Sequence, residues 1–292
     1  MLAELAGIVA PTLVGAVIGY LWARLGHEFA TDFVTKLVMN VGAPCLIFAS
    51  LTSLHITAAT FGVMSLAAAI SMAIYLVAGL AFLRITRMKI RPYLSTIVFP
   101  NLGNMGLPIC LFAYGEQGLA LALGFFVVGA AAQNTLGIWL MDGSTSLKSL
   151  LKLPLIYAVP FGLAFAIPGI KPPVWLFNST HLIGQLAIPL MLIALGASLA
   201  RLRFHALGRP IMMSCLRLTM GPAVGLGIAW LMGLEGMQRG VVILECSMPV
   251  AVLNYLLAAR YNQEPEDVAG IVTISTVMSY VTLPVILWLL LR

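Results

Sequence analysis

Long apolar runs, most of them about 20 residues, alternate along this chain with short clusters of charged and turn-forming residues. The runs are continuous, where barrel strands would be short and alternating, so they predict bilayer-spanning helices that satisfy their own backbone hydrogen bonds. Cutting at the polar clusters predicts ten spans, 4–23, 31–53, 57–83, 92–114, 118–141, 152–169, 174–200, 208–232, 237–260 and 267–290. The longest polar connection, from 142 to 152, leaves no room for a soluble domain, so residues 1–292 read as one membrane transport domain. Its expected parts are a first repeat over 1–141, a short cytoplasmic loop over 142–150 and a second repeat over 151–292. The first 22 residues lack the basic leader of a secretory signal, carry Glu4 and reach Arg24 only after the apolar run, so they are expected to be retained as the first span.

Two spans depart from the pattern at corresponding places. Residues 100–108 read Pro-Asn-Leu-Gly-Asn-Met-Gly-Leu-Pro, and residues 245–249 read Glu-Cys-Ser-Met-Pro. A shift of 141 residues puts Pro108 on Pro249 and carries Asn134 and Thr135 onto Ser275 and Thr276. Pro11 and Gly19 match Pro154 and Gly162 at 143, and Pro44 matches Pro189 at 145. Five spans per half is an odd number, so the halves enter the membrane from opposite sides. The predicted fold is all-α, with ten transmembrane helices in two inverted five-helix repeats and helices 4 and 9 broken.

The breaks carry chemistry. A proline inside a helix removes a donor and clashes with the preceding turn, at a cost of about 3 kcal/mol. Pro108 and Pro249, beside glycines and asparagines, are therefore expected to unwind their spans, whereas the lone prolines Pro222 and Pro284 read as ordinary kinks. Gly103 and Gly106 allow unusual backbone there, and Asn101 and Asn104 can bond loose backbone or reach a ligand. The half-helices starting near Pro108 and Pro249 would aim their positive ends at the membrane centre and make an anion site without a fixed cation.

Composition agrees with a membrane protein: 61% of residues are hydrophobic and 9% charged. The formal charge of +6 reads as a topology signal and gives no reason to expect a nucleic-acid partner. Arg24, Lys36, Arg84, Arg87, Lys89, Arg91, Lys148, Lys152, Arg201, Arg203, Arg209 and Arg260 fall on one side of the ten-span arrangement, against Lys171, Arg239 and Arg292 on the other. Basic loops stay in the cytoplasm, so the expected setting is a plasma (bacterial inner) membrane, multi-pass, with both termini on the non-cytoplasmic side. Trp22, Trp139, Trp175, Trp230 and Trp288 fall near span ends, as interfacial aromatics do. Cys45, Cys110, Cys215 and Cys246 lie inside spans without a CxxC pair, which points to buried packing and to no metal or other cofactor. His27, His55, His181 and His205 sit in a loop or toward span ends and read as solvated.

The stretch 100–108, followed by Tyr114 and Gly115, by Gln133, Asn134 and Thr135, by Met248, Pro249, Val250 and Ala251, and by Ser275 and Thr276, resembles the auxin efflux carrier family and its bacterial members. The resemblance implies a fold related to bile acid:sodium symporters and sodium/proton antiporters, with helices 4 and 9 crossing at their unwound centres. It also implies carriage of small organic anions: auxin in plants, dicarboxylates such as malonate or malate in bacteria. The plant carriers have a long loop where this chain has a short one, which argues against auxin itself. Antiporters of this fold have adjacent aspartates where this chain has Gln133, Asn134 and Thr135, which leaves uniport, proton coupling and sodium coupling open. Homodimerisation is one arrangement such carriers allow.

Asn101, Asn104, Gly106, Pro108, Gln133, Asn134, Thr135, Met248, Pro249, Asn254, Ser275 and Thr276 are the expected substrate-binding residues. Glu245 and Arg217 are the expected coupling residues, because an intramembrane charge costs at least about 2.5 kcal/mol and is seldom idle. Glu245 falls on Asn104 in the register of 141, and it could carry a coupling proton or form a structural pair with Arg217. Arg217 could equally hold a substrate carboxylate. Asn40, Pro44, Gln185 and Pro189 read as a matched bend. Gly15 with Gly19, and Gly221 with Gly225, mark close helix contacts. A secondary carrier accounts for the repeat, the breaks and the polar cluster together. A channel would call for charge rings or a filter sequence, and an enzyme for a nucleophile with a base or metal ligands at matched depth. A cation-coupled symporter of bile-acid type is the alternative carrier.

Overall fold

The computed structural model describes residues 2–53, 57–143, 151–203 and 207–291, so His55, Lys148, His205, Arg292 and most of the 142–150 loop lie outside the described residues. Helices follow the apolar runs. Among the described residues seven are long and apolar enough to cross a membrane: α1 (Leu2–Arg24), α2 (Thr31–Ser53), α3 (Ala58–Ile85), α5 (Leu102–Asp142), α7 (Val174–Arg201), α8 (Gly208–Leu231) and α11 (Pro265–Leu290). Shorter helices complete the chain: α4 (Ile90–Val98), α6 (Pro154–Ala166), α9 (Gly236–Cys246) and α10 (Val252–Arg260). The expected spans 92–114 and 118–141 run on through α5, whose direction changes at Gly115, with φ of 67° and ψ of −161°. That left-handed φ is open to glycine at little cost, which is why the bend falls there.

Two groups of helices pack against one another. In the first, α1 lies along the second half of α7 (Ala187–Arg201), and the inner half of α2 (Ala43–Ser53) packs on α6 and on the first half of α7 (Val174–Gln185). In the second, α5 packs on α3 and α9, and α8 packs on α9 and α11. Small residues set the spacing, as they do where lipid supplies no hydrophobic drive between helices. A Cβ on Gly196 would fall on the Ala16 carbonyl, one on Gly19 on the Ile193 carbonyl, and one on Gly221 on the Cys246 carbonyl. Both GxxxG pairs are thus internal contacts, Gly15 and Gly19 against α7, Gly221 and Gly225 against α9. The outer surface is apolar: Val77, Phe161, Val281 and the edge tryptophans Trp22, Trp175 and Trp230 are all exposed.

Three expectations change. Cys215 is exposed on the outer surface, not a packing residue, while Cys110 and Cys246 are buried. Lys89, read only as a topology signal, bonds Glu264, while Tyr93 donates to Asp267 at 2.5 Å with Arg209 3.7 Å from the same carboxylate. These contacts tie the starts of α4, α8 and α11 together. The breaks, finally, do not follow the offset of 141: helix ends at Val98 and Cys246 and resumes at Leu102 and Val252, offsets of 148 and 150. The residue that matches Pro249 is therefore Pro100. Pro108 sits beyond the break, where the π-helical turn Leu102–Gly106 passes into regular α-helix. Asn104 lies after its break and Glu245 before the other, so the two are not equivalent.

Replacing Gly196 by Leu is expected to cost about 1–3 kcal/mol by forcing α1 and α7 apart. Gly227→Ala, where a Cβ meets nothing within 4 Å, should leave the melting temperature in detergent unchanged or slightly raised.

Candidate functional site

The α4 helix stops because Pro100 supplies no N–H, and Phe99 before it is extended, with φ of −108° and ψ of 96°. α9 stops in the same way before Pro249. The two unwound stretches lie side by side as an antiparallel bridge between Pro100 and Val250. Asn101 N–H donates to the Pro249 carbonyl at 2.7 Å, and Ala251 N–H donates to the Phe99 carbonyl at 3.2 Å. Each break thus satisfies the backbone of the other.

Side chains complete the accounting. Arg217, 1% exposed, donates to the carbonyls of Cys246 at 2.7 Å, Ile97 at 3.1 Å and Met248 at 3.3 Å, and its guanidinium lies 4.4 Å from the Tyr75 ring centroid. The Tyr75 hydroxyl adds a bond to Cys246 O at 3.2 Å. Asn254 donates to the Phe99 carbonyl at 3.0 Å and accepts from the Ser95 hydroxyl at 2.7 Å. The Ser275 hydroxyl accepts from Val250 N–H at 3.2 Å. Arg217, Asn254 and Ser275 thus bond the backbone of the crossing, and Arg217 makes no ion pair with Glu245. A five-donor planar fork suits three converging carbonyls in a way no other side chain does.

A cavity of about 610 Å³ opens beside the crossing, on the boundary between the two helix groups. Its floor is Pro100, Asn101, Gly103 and Asn104 from one break and Ala251, Val252 and Leu253 from the other. Gln133 and Asn134 of α5 form one wall, and Met191, Ala194 and Ser198 of α7 another. Thr31, Asp32, Thr35, Lys36 and Asn40 of α2 line the third side, with Arg260 at the end of α10. Two helix N-termini, at 102 and 252, therefore border one space; Leu102 N–H bonds the Pro100 carbonyl and Asn254 N–H the Ala251 carbonyl, which leaves the helix dipoles aimed at the cavity. Asn101, 4% exposed, accepts from Asn104 N–H through Oδ1 at 3.3 Å, which fixes its flip. Its Nδ2 then has no partner among the described residues.

Of the expected site residues, Asn101, Asn104, Gln133 and Asn134 line the cavity. Gly106, Pro108, Met248, Pro249, Asn254, Ser275 and Thr276 do not: all are buried behind the floor, where packing and backbone bonding claim them. The Thr135 hydroxyl turns back to the Ala131 carbonyl at 2.8 Å, and that of Thr276 to Val272 at 2.7 Å. Glu245 is fully buried beneath Gly106.

The α2 face was missed as lining, and Asn40 was assigned only to a bend. The signal was there: Asp32, Lys36 and Asn40 recur every four residues, a polar stripe on an otherwise apolar span. Each π-helical turn, at Val38–Gly42, Leu102–Gly106 and Gln133–Gly137, also carries a cavity-lining amide. Such turns mark places where a helix gives up regularity to present a group.

The fold and the paired breaks define a multi-pass membrane transporter. A family profile described as "Membrane transport protein" matches residues 5–146 and 138–287, and the chain belongs to that family, the auxin efflux carrier family. It is 29% identical to an "Uncharacterized transporter" of Methanothermobacter thermautotrophicus, over 96% of each chain. It is 24% identical to a protein of Rhizobium meliloti named "Putative malonate transporter", over 99% of this chain and 97% of that one. A match to "Auxin efflux carrier component 1" of Arabidopsis thaliana, 25% identical, spans 41% of this chain and 20% of the plant protein.

Arg217→Met should lower the melting temperature strongly, by about 3–5 kcal/mol of stability, because three buried carbonyls lose their donor. Arg217→Lys should recover only part of it, since an ammonium cannot span the three acceptors. A ligand role would instead leave melting unchanged and weaken only substrate binding.

Proposed function

We propose that this protein is a secondary carrier that moves small organic anions, mono- or dicarboxylates, by alternating access. In this reading the substrate sits on the crossing of the broken segments, within ten spans arranged as two inverted five-helix repeats. The observation that carries it is the convergence of two helix N-termini on one cavity, with the buried and unpartnered Asn101 Nδ2 at its floor. A carboxylate oxygen is the acceptor that such a set of donors lacks. Lys36 and Arg260, against the single acid Asp32, leave the mouth net positive and favour a second carboxylate. The name of the Rhizobium meliloti relative supports a dicarboxylate.

The cavity lies between the two helix groups, so sliding of one group on the other would close this mouth and open the opposite one, as alternating access requires. Lys36 and Arg260 belong to the basic side of the chain, so the present state faces the cytoplasm, with both termini outside it.

Purified protein in liposomes should take up labelled malonate saturably and without nucleotide, and preloaded unlabelled malonate should accelerate entry. Asn101→Asp, which replaces the free donor by a like charge, should lower uptake at least about tenfold, equivalent to about 1.4 kcal/mol. Non-saturating flux would mean a channel, and no flux with any mono- or dicarboxylate would sink the anion assignment.

A further inference from the structure

We propose that Glu245 is the proton-carrying group of the transport cycle, loaded while the crossing is packed as it is here and moved together with the substrate anion. This deepens the carrier reading and rests on it. Glu245 is the last residue but one of α9, just before the break, and is 0% exposed. Its Oε1 meets only the Cys110 thiol, at 3.8 Å, and its Oε2 has no partner among the described residues. Gly106 closes over it so tightly that any Cβ there would fall on the carboxylate.

The charged and titratable groups around it give it nothing to pair with. From α5 come Cys110 and, a turn further, Tyr114, which packs on Gly240. Its own helix supplies Cys246, α3 supplies Tyr75, and α8 supplies Arg217. The hydroxyl of Tyr75 and one N–H from each of the three Arg217 nitrogens go to backbone carbonyls, and no ion pair joins Arg217 to Glu245. An ionised carboxylate here would forfeit its hydration for no compensating partner, whereas the neutral acid forfeits little. A thiol is a poor ligand for a hard cation, so a proton fits this place better than sodium does.

Gly106 ends the π-helical turn Leu102–Gly106, and the same turn supplies Gly103 and Asn104 to the cavity floor. Substrate and Glu245 thus lie on opposite sides of one turn of backbone. An anion on the floor and a charge on Glu245 would repel through a poorly screening interior, so a loaded site retains the proton and a retained proton favours loading. When the turn lifts off Glu245 in the oppositely facing state, after the substrate has left, water reaches the carboxyl and the proton leaves. One proton binds a carboxylate oxygen from one side and is released to the other, with nothing oxidised or reduced.

The test has two arms. Infrared difference spectra of the native protein and Glu245→Gln, at neutral pH and without substrate, should show the C=O stretch of a protonated carboxyl in the native protein only. Cys110→Ser, which leaves the acid in place but offers it a hydroxyl, should shift that band, so the assignment survives even if Glu245→Gln fails to fold. No such band would overturn the proposal whatever the transport result. In liposomes, a gradient of about one pH unit, acid on the substrate side, should drive accumulation up to about tenfold for one proton per turnover. That stimulation should vanish in Glu245→Gln. Its persistence there, or accumulation driven by sodium instead, would overturn the proposal. If no carboxylate is carried at all, the carrier reading fails while the infrared arm still decides where the proton is.

Discussion

Two stretches of unwound backbone, 99–101 and 249–251, satisfy each other in the interior of a membrane protein, and the rest of the structure is arranged to keep them paired. A lone break at that depth would leave amides and carbonyls without partners, at several kcal/mol each. Laid antiparallel, the two breaks exchange two backbone hydrogen bonds, and Arg217, Tyr75, Asn254 and Ser275 take up the groups left over. Each of those four side chains comes from a different helix, so the crossing binds α3, α8, α10 and α11 to α4 and α9. The most polar set of buried residues in the chain is in this sense structural.

The proposed function rests on what the crossing leaves over. Both helices restart on the same side of it, which turns two N-termini and the Asn101 amide toward one cavity. On the other side, Glu245 is the one buried carboxylate the crossing does not satisfy. The two faces are one turn of backbone apart. Geometry that holds an anion on one face and a titratable acid on the other offers a direct route for coupling, with no long pathway through the protein.

Much of this was legible in the sequence. Apolar run length marked the spans, and the prolines beside glycines and asparagines marked the breaks. Register was harder. Pro108 aligned with Pro249 because both follow a glycine- or serine-bearing polar run, yet the proline that stops the helix is Pro100, and Pro108 merely starts the next α-helical turn. Which side of a break a polar residue faces depends on backbone direction after unwinding, and no periodicity reports that. Hence Asn101 and Asn104 line the cavity, while the equally polar Asn254, Ser275 and Thr276 lie behind it and bond backbone. The α2 stripe was overlooked for the opposite reason: Lys36 had already been assigned to topology, and a residue can serve both.

The central claim is that the anion rests on the crossing. A structure determined with a bound dicarboxylate tests it most directly. The account predicts one carboxylate within hydrogen-bonding distance of Asn101 Nδ2 and of the first-turn amides of α10, with the Phe99–Ala251 and Asn101–Pro249 bonds intact. Ligand density elsewhere, for instance in the separate cavity between Leu51 and Phe177 of about 880 Å³, with Asn101 Nδ2 turned to a protein acceptor, would contradict it.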